Sequence, residues 1–186
     1  MRKIIWAINV TLDGFADHTA MIADDEMHYF YANLLNTVDT ELFGRKTYEL
    51  LESFWPTAYE DPGSTKGMIE FVNKINSLSK VVFSNKLKKA NWKNTKIIKE
   101  NMVEEVLKMK EQSGKNLSIG GISIASVLME RDLIDEYWFV VQPIILGKGI
   151  QLFGKINKKK NLRFIDLKIF NSGVVVLHYK NSESIE

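Results

Sequence analysis

The stretch LFGRKTYE at residues 42–49 passes from a strand pattern to a helix pattern through a single glycine. A short strand is predicted over residues 40–43, and Tyr48 and Leu51 recur at helical spacing after Gly44. A helix N-terminus offers free backbone N–H groups and a partial positive charge, so it receives a phosphate well. The stretch therefore predicts a strand–loop–helix unit, in which Gly44 lets the backbone come close to an anion.

Cationic and hydroxyl side chains follow this glycine. Arg45 and Lys46 add fixed positive charge, and Thr47 adds a hydroxyl group. An ordinary turn glycine followed by a solvated helix start accounts for the same residues. Both interpretations remain open for this loop taken alone.

A second stretch, SIGGIS at residues 118–123, repeats the pattern further along the chain. A strand over residues 116–119 leads into Gly120 and Gly121, and a helix is predicted from residue 122. Ser123 could donate a hydroxyl to an anion, although the glycines also suit a tight turn. Two such loops in one sheet suit the two ends of a dinucleotide, yet neither the G-x-G-x-x-G nor the P-loop pattern is present.

Outside these loops, strand and helix patterns alternate until only strands remain near the C-terminus. This order predicts an α/β fold with a mainly parallel sheet and an antiparallel edge. Asp24 or Asp25 is a candidate cap for the first helix. The predicted strands cover residues 4–10, 40–43, 80–84, 96–99, 116–119, 136–142, 161–170 and 173–180, and the helices cover residues 25–37, 44–54, 68–75, 102–112 and 122–131.

Composition limits the class of protein. The 186 residues are 45% hydrophobic, which suits one domain over residues 1–186 with its own core. A net charge of +2 does not favour nucleic acid, and no apolar run is long enough to cross a membrane. The absence of cysteine excludes thiolate metal sites and cysteine nucleophiles, and it is consistent with a reducing cytoplasm. We expect no metal site.

Seven short motifs follow one another along the chain. They are INVTLDGF at residues 8–15, LFGRKTYE at 42–49, VVFS at 81–84, IGG at 119–121, LIDE at 133–136, PIILGKG at 143–149 and LF at 152–153. Read in order, they resemble the RibD C-terminal domains, the reductase half of riboflavin deaminase-reductases, and especially the stand-alone members of that family. The resemblance covers nearly the whole chain and implies the dihydrofolate reductase-like three-layer α/β/α fold.

The resemblance implies NADPH as the cofactor. It assigns the cofactor phosphates to the first glycine loop, the 2′-phosphate to the end of the VVFS strand, the pyrophosphate to the second glycine loop, and the nicotinamide to the end of the first strand. In dihydrofolate reductases the Gly–Gly bond is cis. The implied cofactor-binding residues are Ala7, Ile8, Gly44, Arg45, Lys46, Thr47, Ser84, Asn85, Gly120, Gly121, Ile122, Ser123 and Ile124.

Hydride transfer also needs a proton donor, for which Asp13 and Asp25 are the candidates, with Asp24 beside them. A turn aspartate accounts equally for Asp13, and helix capping accounts for Asp24 and Asp25. Three aromatic residues, Phe15, Tyr48 and Trp55, are candidates to line a pocket for a flat substrate, with a place in the core as the alternative. His18 and His28 are expected at the surface, and His178 is expected to be structural.

The expected activity is NADPH-dependent reduction of a small heterocycle, pterin-like or 5-amino-6-ribosylaminouracil-like. Riboflavin-pathway reductases usually carry an acidic residue just before the second glycine loop, where this chain has Ser118 and Ile119. A catalytically inactive NADP(H)-binding regulatory or interaction protein is the alternative. The resemblance also implies a homodimer, for which residues 174–176 offer an apolar surface.

Overall fold

A computed structural model of the protein describes residues 1–182, which form ten strands and five α-helices with two short 3₁₀ helices. The strands are β1 (Ile4–Thr11), β2 (Phe15–Ala16), β3 (Val38–Gly44), β4 (Ser79–Phe83), β5 (Thr95–Ile98), β6 (Asn116–Gly120), β7 (Glu136–Gln142), β8 (Ile150–Gln151), β9 (Leu162–Ile169) and β10 (Val175–Asn181). The helices are α1 (Asp25–Leu35), α2 (Arg45–Glu52), α3 (Lys66–Ser77), α4 (Met102–Glu111) and α5 (Ile122–Glu130).

Eight of the strands form one sheet in the order β5-β4-β3-β6-β1-β7-β10-β9. The strands from β5 to β7 pair in parallel, whereas β10 and β9 pair antiparallel at one edge. The predicted parallel sheet with an antiparallel C-terminal hairpin is therefore confirmed. Within the described part of the chain, no helix is long and apolar enough to cross a membrane.

Helices cover both faces of this sheet. Ile4 and Trp6 of β1 face a core that includes Leu128 of α5 and Val106 of α4. Ile5 faces the other core, which α1, α2 and α3 complete. Successive strand residues point to opposite faces, so the continuous apolar run of β1 serves both cores. The three-layer α/β/α arrangement follows.

The prediction missed one pair of strands and displaced several element ends. β2 and β8 form a separate two-stranded sheet, with Phe15 opposite Gln151. A strand of two residues shows no hydrophobic period, so the sequence carries no signal for it. β3 starts at Val38 rather than residue 40, with an irregular register between Val38 and Thr40.

The prediction that residues 174–176 offer an exposed apolar surface for a dimer is wrong. Val174 and Val176 lie in the core against Met27 of α1, with 0% and 1% of their surfaces exposed. Only Val175 is half-buried. These valines therefore stabilise the fold, and any apolar contact surface on the terminal hairpin uses other side chains.

Candidate functional site

The two glycine loops lie at the ends of neighbouring strands. Phe43 pairs in register with Gly120, and Gly44 pairs with Phe83, which precedes Ser84. β1 lies on the other side of β6, where Trp6 pairs with Ile119, so Ala7 comes level with these three strand ends and β1 then continues to Thr11. At about 4.8 Å between strands, Ala7 and the three strand ends lie along a line about 14 Å long. Helices leave the two central strands toward opposite faces, which creates a crevice of the kind that binds ligands in parallel sheets.

The loops also touch each other. A Cβ atom on Gly44 would lie 2.5 Å from Oγ of Ser123, and a Cβ atom on Gly121 would lie 2.3 Å from Oγ1 of Thr47. Gly120 leaves space for the ring of Phe43, whose nearest carbon would be 2.1 Å from an added Cβ. Glycine is needed at position 120, where the buried Phe43 ring takes the space, and at position 121, where φ is +98°, whereas at position 44 the Ser123 hydroxyl can rotate away.

The starts of α2 and α5 are open to an anion. Their N-cap residues, Gly44 and Gly121, form no capping hydrogen bond, and neither helix has an acidic residue in its first turn. By contrast, Asp24 caps α1 and Thr65 caps α3, while α4 has two glutamates in its first turn. Among the five helices, only α2 and α5 leave the partial positive charge at the N-terminus uncompensated.

Basic side chains stand beside this meeting point. Nη1 of Arg45 donates a 2.7 Å hydrogen bond to Oε2 of Glu49, one turn along α2, and Lys46 is exposed. Thr47 is half-buried against the second loop. A bound phosphate therefore competes with Glu49 for the Arg45 guanidinium, which is a planar donor suited to phosphate.

Ser84 and Asn85 extend the same line of strand ends. Oγ of Ser84 accepts hydrogen bonds from the N–H groups of Lys86 and Leu87, so this hydroxyl shapes its own turn. Asn85 is exposed beyond it. The structure thus places Asn85 free at the surface of this turn, next in line to the start of α2.

The remaining predicted cofactor residues differ in what they can offer. Ile124 is 5% exposed and its side chain packs beneath Gly44, whereas Ser123 is exposed. Ala7 and Ile8 are half-buried in the second half of β1. Residues 1–182 contain no cis peptide bond, so the Gly120–Gly121 bond is trans, unlike the Gly–Gly bond of dihydrofolate reductases, and Gly121 has a φ of +98°.

Asp13 is held by the fold. Its carboxylate accepts hydrogen bonds from the Thr11 hydroxyl at 2.6 Å and from the N–H groups of Leu146 and Gly147 at 3.1 and 2.7 Å. These donors, led by Thr11, lower the pKa of Asp13 to about 2. The group is therefore an anion at neutral pH that ties two loops together, which does not suit a proton donor.

Asp24 and Asp25 also have structural partners. Oδ1 of Asp24 accepts a 2.8 Å hydrogen bond from the N–H of Met27 and so caps α1. Asp25 accepts hydrogen bonds from the Thr65 hydroxyl and from the N–H of Gly67, which join α1 to the start of α3. The capping interpretation accounts for Asp24, and Asp25 serves as a helix-to-helix link.

The three aromatic candidates are not brought together. Tyr48 is 0% exposed, and its hydroxyl donates to Glu52, so the prediction that it contacts substrate does not fit its position. Phe15 lies in β2 beside Gly149. Trp55 follows α2 and packs at a ring distance of 4.8 Å from Phe71 of α3. Large aromatics preferentially complete cores, which explains Tyr48.

His28 was misjudged as a surface residue. It lies in the first turns of α1, is 8% exposed, and stands edge-on to Trp55 at a ring distance of 6.4 Å. Its Nδ1 is buried without a hydrogen-bond partner, and burial lowers the pKa of the ring. The two aromatic partners, Trp55 and Phe71, are distant along the chain, so the local sequence carries no signal of this burial. His178 stacks on Trp138 and is structural, as expected.

Two further polar sets lie on the α1 side of the sheet. The side chain of Gln142 is 1% exposed and donates a 2.9 Å hydrogen bond to Asn9 at the end of β1. Glu41 is 5% exposed beside Ser118 and near Tyr31, whose hydroxyl has no hydrogen-bond partner. Burial raises the pKa of Glu41 to about 7, against the opposing effects of Ser118 and Lys80.

This sheet order, with its two glycine-opened helices, defines an α/β protein of the dihydrofolate reductase-like fold. Within that class, the chain belongs to the RibD C-terminal domain family, whose model matches residues 2–176.

Two uncharacterized proteins of Bacillus subtilis strain 168 are similar over nearly their whole length. YyaP is 33% identical and YwjB 30% identical; each alignment covers 96% of this chain, with 94% of YyaP and 97% of YwjB.

Solved structures share the fold at low sequence identity. A putative riboflavin biosynthesis protein from Shewanella sp. PV-4 has a TM-score of 0.74 at 18% identity, covering 98% of this chain and 100% of that one. A pyrimidine reductase-like protein from Corynebacterium diphtheriae has a TM-score of 0.65 at 14% identity, covering 98% of this chain and 93% of that one. A diaminohydroxyphosphoribosylaminopyrimidine deaminase/5-amino-6-(5-phosphoribosylamino)uracil reductase from Thermotoga maritima has a TM-score of 0.67 at 17% identity. The alignment covers 97% of this chain and 56% of that one.

Proposed function

We propose that this protein is an NADPH-dependent reductase of a small heterocyclic molecule, pterin-like or 5-amino-6-ribosylaminouracil-like. The observation that carries the proposal is the contact between two uncapped helix N-termini beside Arg45 and Lys46. Membership of the RibD C-terminal domain family supports it. The Thermotoga maritima neighbour, whose name includes a uracil reductase, supports the reaction class.

The residues present fit a dinucleotide. Glycines at 44 and 121 let the two loops come into contact, and the free N–H groups at the two helix N-termini suit a pyrophosphate. Bound NADPH supplies the hydride, and the chain binds and orients it. We assign the nicotinamide end to Ala7 and Ile8, and the 2′-phosphate to Arg45, with Asn85 beside it.

We assign the substrate side to Trp55 and His28. A flat ring lying on Trp55 is close to the His28 imidazole, because the two rings are 6.4 Å apart. Burial lowers the pKa of His28, so the imidazole is neutral at neutral pH and carries one N–H donor. His28 is thus better placed to form a hydrogen bond with substrate than the three structurally engaged aspartates.

A titration with NADPH and with NADH, followed by tryptophan fluorescence and by thermal shift, tests the cofactor assignment. We expect Arg45→Ala to raise the Kd for NADPH about tenfold or more, because a charge-assisted hydrogen bond is lost. The Kd for NADH should change little. Glu49→Gln should tighten NADPH binding, since it frees the Arg45 guanidinium from its 2.7 Å partner.

Lys66→Ala is the matched control, because Lys66 begins α3, whose N-terminus Thr65 already caps. It should leave both nucleotide affinities unchanged. Absence of binding by either nucleotide at millimolar concentration would overturn the proposal. Turnover of pterins and pyrimidines, followed by loss of NADPH absorbance, separates a reductase from an inactive NADP(H)-binding protein, which binds the cofactor without consuming it.

We also propose that the protein forms a homodimer through the β9 ridge, defined as Phe164, Leu167 and Ile169. These side chains are 51%, 48% and 65% exposed on one face of the edge strand. A patch on an edge strand can meet its own copy across a two-fold axis without a second kind of surface.

A further inference from the structure

A cavity of about 400 Å³ lies far from the glycine loops. It is bounded by Met129 near the end of α5, by Tyr137 near the start of β7, and by residues 153–162, which pass over β7 and β10. Met129 is eight residues beyond Gly121, or about 12 Å along the helix. We call this cavity the distal pocket. Its position at the opposite end of α5 separates it from the proposed cofactor site.

The lining of the distal pocket is almost wholly apolar. Eight aliphatic or aromatic side chains surround it, among them Phe139, Phe153 and Leu177, and two lysines complete it. Its volume is within the range of about 300–1,000 Å³ that small-molecule sites occupy. The pocket is a half-open cleft whose apolar walls meet water, so an apolar occupant that covers them is stabilised by the hydrophobic effect.

The two lysines differ in their partners. Nζ of Lys160 pairs with Asp132, whereas Lys158 is exposed at the edge of the cavity. The nearby carboxylate of Glu130 is also engaged, since it accepts a 3.0 Å hydrogen bond from the N–H of Asn157. Both carboxylates thus hold the covering segment in place, and the charge of Lys158 remains available to a ligand.

We propose that the distal pocket binds a small apolar molecule that carries one anionic group, such as an aromatic carboxylate or sulfonate. The apolar body lies against Phe139 and Leu177, and the anionic group meets Lys158 at the entrance. The Lys158 ammonium, exposed at the entrance, selects for an anionic group, while burial of the apolar body supplies most of the affinity. This site is separate from the proposed reductase site and does not depend on it.

The test compares two fluorescent probes that share an aromatic body. 8-Anilinonaphthalene-1-sulfonate carries the anionic group, and N-phenyl-1-naphthylamine lacks it. We expect both to bind the folded wild-type protein at one site. Lys158→Ala should raise the Kd of the sulfonate about tenfold and leave that of the neutral probe nearly unchanged. Lys159→Ala is the matched control, because this neighbouring lysine is exposed and does not line the cavity.

Filling the cavity tests its location. Leu177→Trp, or Met129→Trp from the opposite wall, should abolish binding of both probes, and near-ultraviolet circular dichroism verifies the fold of each variant. Retention of probe binding in either folded variant would overturn the proposal. An equal rise in the Kd of the sulfonate in the Lys158→Ala and Lys159→Ala variants would also overturn the proposal, because it would indicate attraction to surface charge alone.

Two further readouts separate other occupants. Displacement of the sulfonate probe by NADPH would place it at the cofactor site and overturn the proposal. The distal pocket adjoins the β9 ridge, because Leu177 and Tyr179 of its wall pair with Leu167 and Phe164. Probe binding that weakens as the protein self-associates, with Leu177→Trp converting a dimer to a monomer, would assign the pocket to the interface between two copies and overturn the proposal. Persistent probe binding in a protein that fails to bind NADPH would leave the distal pocket intact while the reductase proposal fails.

Discussion

The carboxylate of Asp13 joins the turn after β1 to the loop after β7. Leu146 and Gly147 donate their N–H groups to it, so the anion fixes the relative position of two strand ends. A pKa lowered to about 2 means that the stabilising contribution is present above the ordinary value of 3.8 and is lost as the pH falls through 2.

We therefore predict that Asp13 titrates near pH 2 in carbon-detected NMR of the native protein. Asp13→Asn should lower Tm at pH 7, with a difference from wild type that narrows as the pH is lowered below 3.8. A carboxyl that titrates at 4 or above would contradict the bridging role.

The pKa of Glu41 shifts in the opposite direction to that of Asp13, because burial raises it from 4.5 to about 7. The folded state holds the proton more tightly than the unfolded chain, so stability decreases as the pH rises from 4.5 through 7. We predict that Glu41→Gln is more stable than wild type at pH 8, by a difference of the order of 3 kcal/mol at most. The difference should vanish near pH 4.

Urea unfolding of both proteins at several pH values measures this difference. A glutamine stays neutral, so its stability should show a weaker pH dependence than wild type between pH 5 and 8. A variant less stable than wild type at pH 8 would show instead that the ionised carboxylate is compensated by Ser118 and Lys80, the groups that oppose the shift.

At the scale of elements, the glycine loops depend on close contact between β3, β6 and the helices that follow. Gly120→Ala should destabilise the protein by about 1–3 kcal/mol, because the added Cβ would overlap the buried ring of Phe43. NADPH binding should weaken at the same time, since the displaced loop no longer holds the start of α5 against α2.

Gly147→Ala is the control for this variant. Gly147 has a φ of +78° and no atom within 4 Å of an added Cβ, so alanine there meets backbone strain without overlap. It should cost stability and leave NADPH affinity unchanged. Equal losses of NADPH affinity in the two variants, measured by fluorescence titration, would argue against the loop contact as the basis of binding.

Elements with a strong period were predictable from the sequence, and so was the position of both glycine loops after strands. β7 was predicted with its observed bounds, because Glu136 and Pro143 frame a continuous apolar run. The roles of individual polar residues were not predictable. The partners of Asp25 lie in α3, and those of Asp13 include residues more than 130 positions away, so only tertiary structure identifies them.

At the scale of the whole molecule, the terminal hairpin leaves an apolar face without a covering helix. Ile169 pairs with Val175, and Leu167 pairs with Leu177, so the β9 ridge continues the apolar rows of the inner strands. The opposite face of β9 carries charge at Asp166 and Lys168, which shows that its apolar face is the one suited to burial. Monomeric proteins rarely expose contiguous apolar patches of more than a few hundred Å².

We predict that Leu167→Lys combined with Ile169→Lys converts a dimer into a folded monomer, because a buried unpaired ammonium in each copy opposes association. Asp166→Lys places the same cation on the opposite face of the strand and should leave the dimer intact. Sedimentation velocity and light scattering at micromolar concentration give the mass of each protein. A wild-type protein that remains monomeric, or a control that dissociates as fully as the double variant, would remove the β9 ridge as the contact surface. Three strands, β10, β7 and β1, lie between β9 and the strands that end at the glycine loops. The monomeric variant should therefore still bind NADPH.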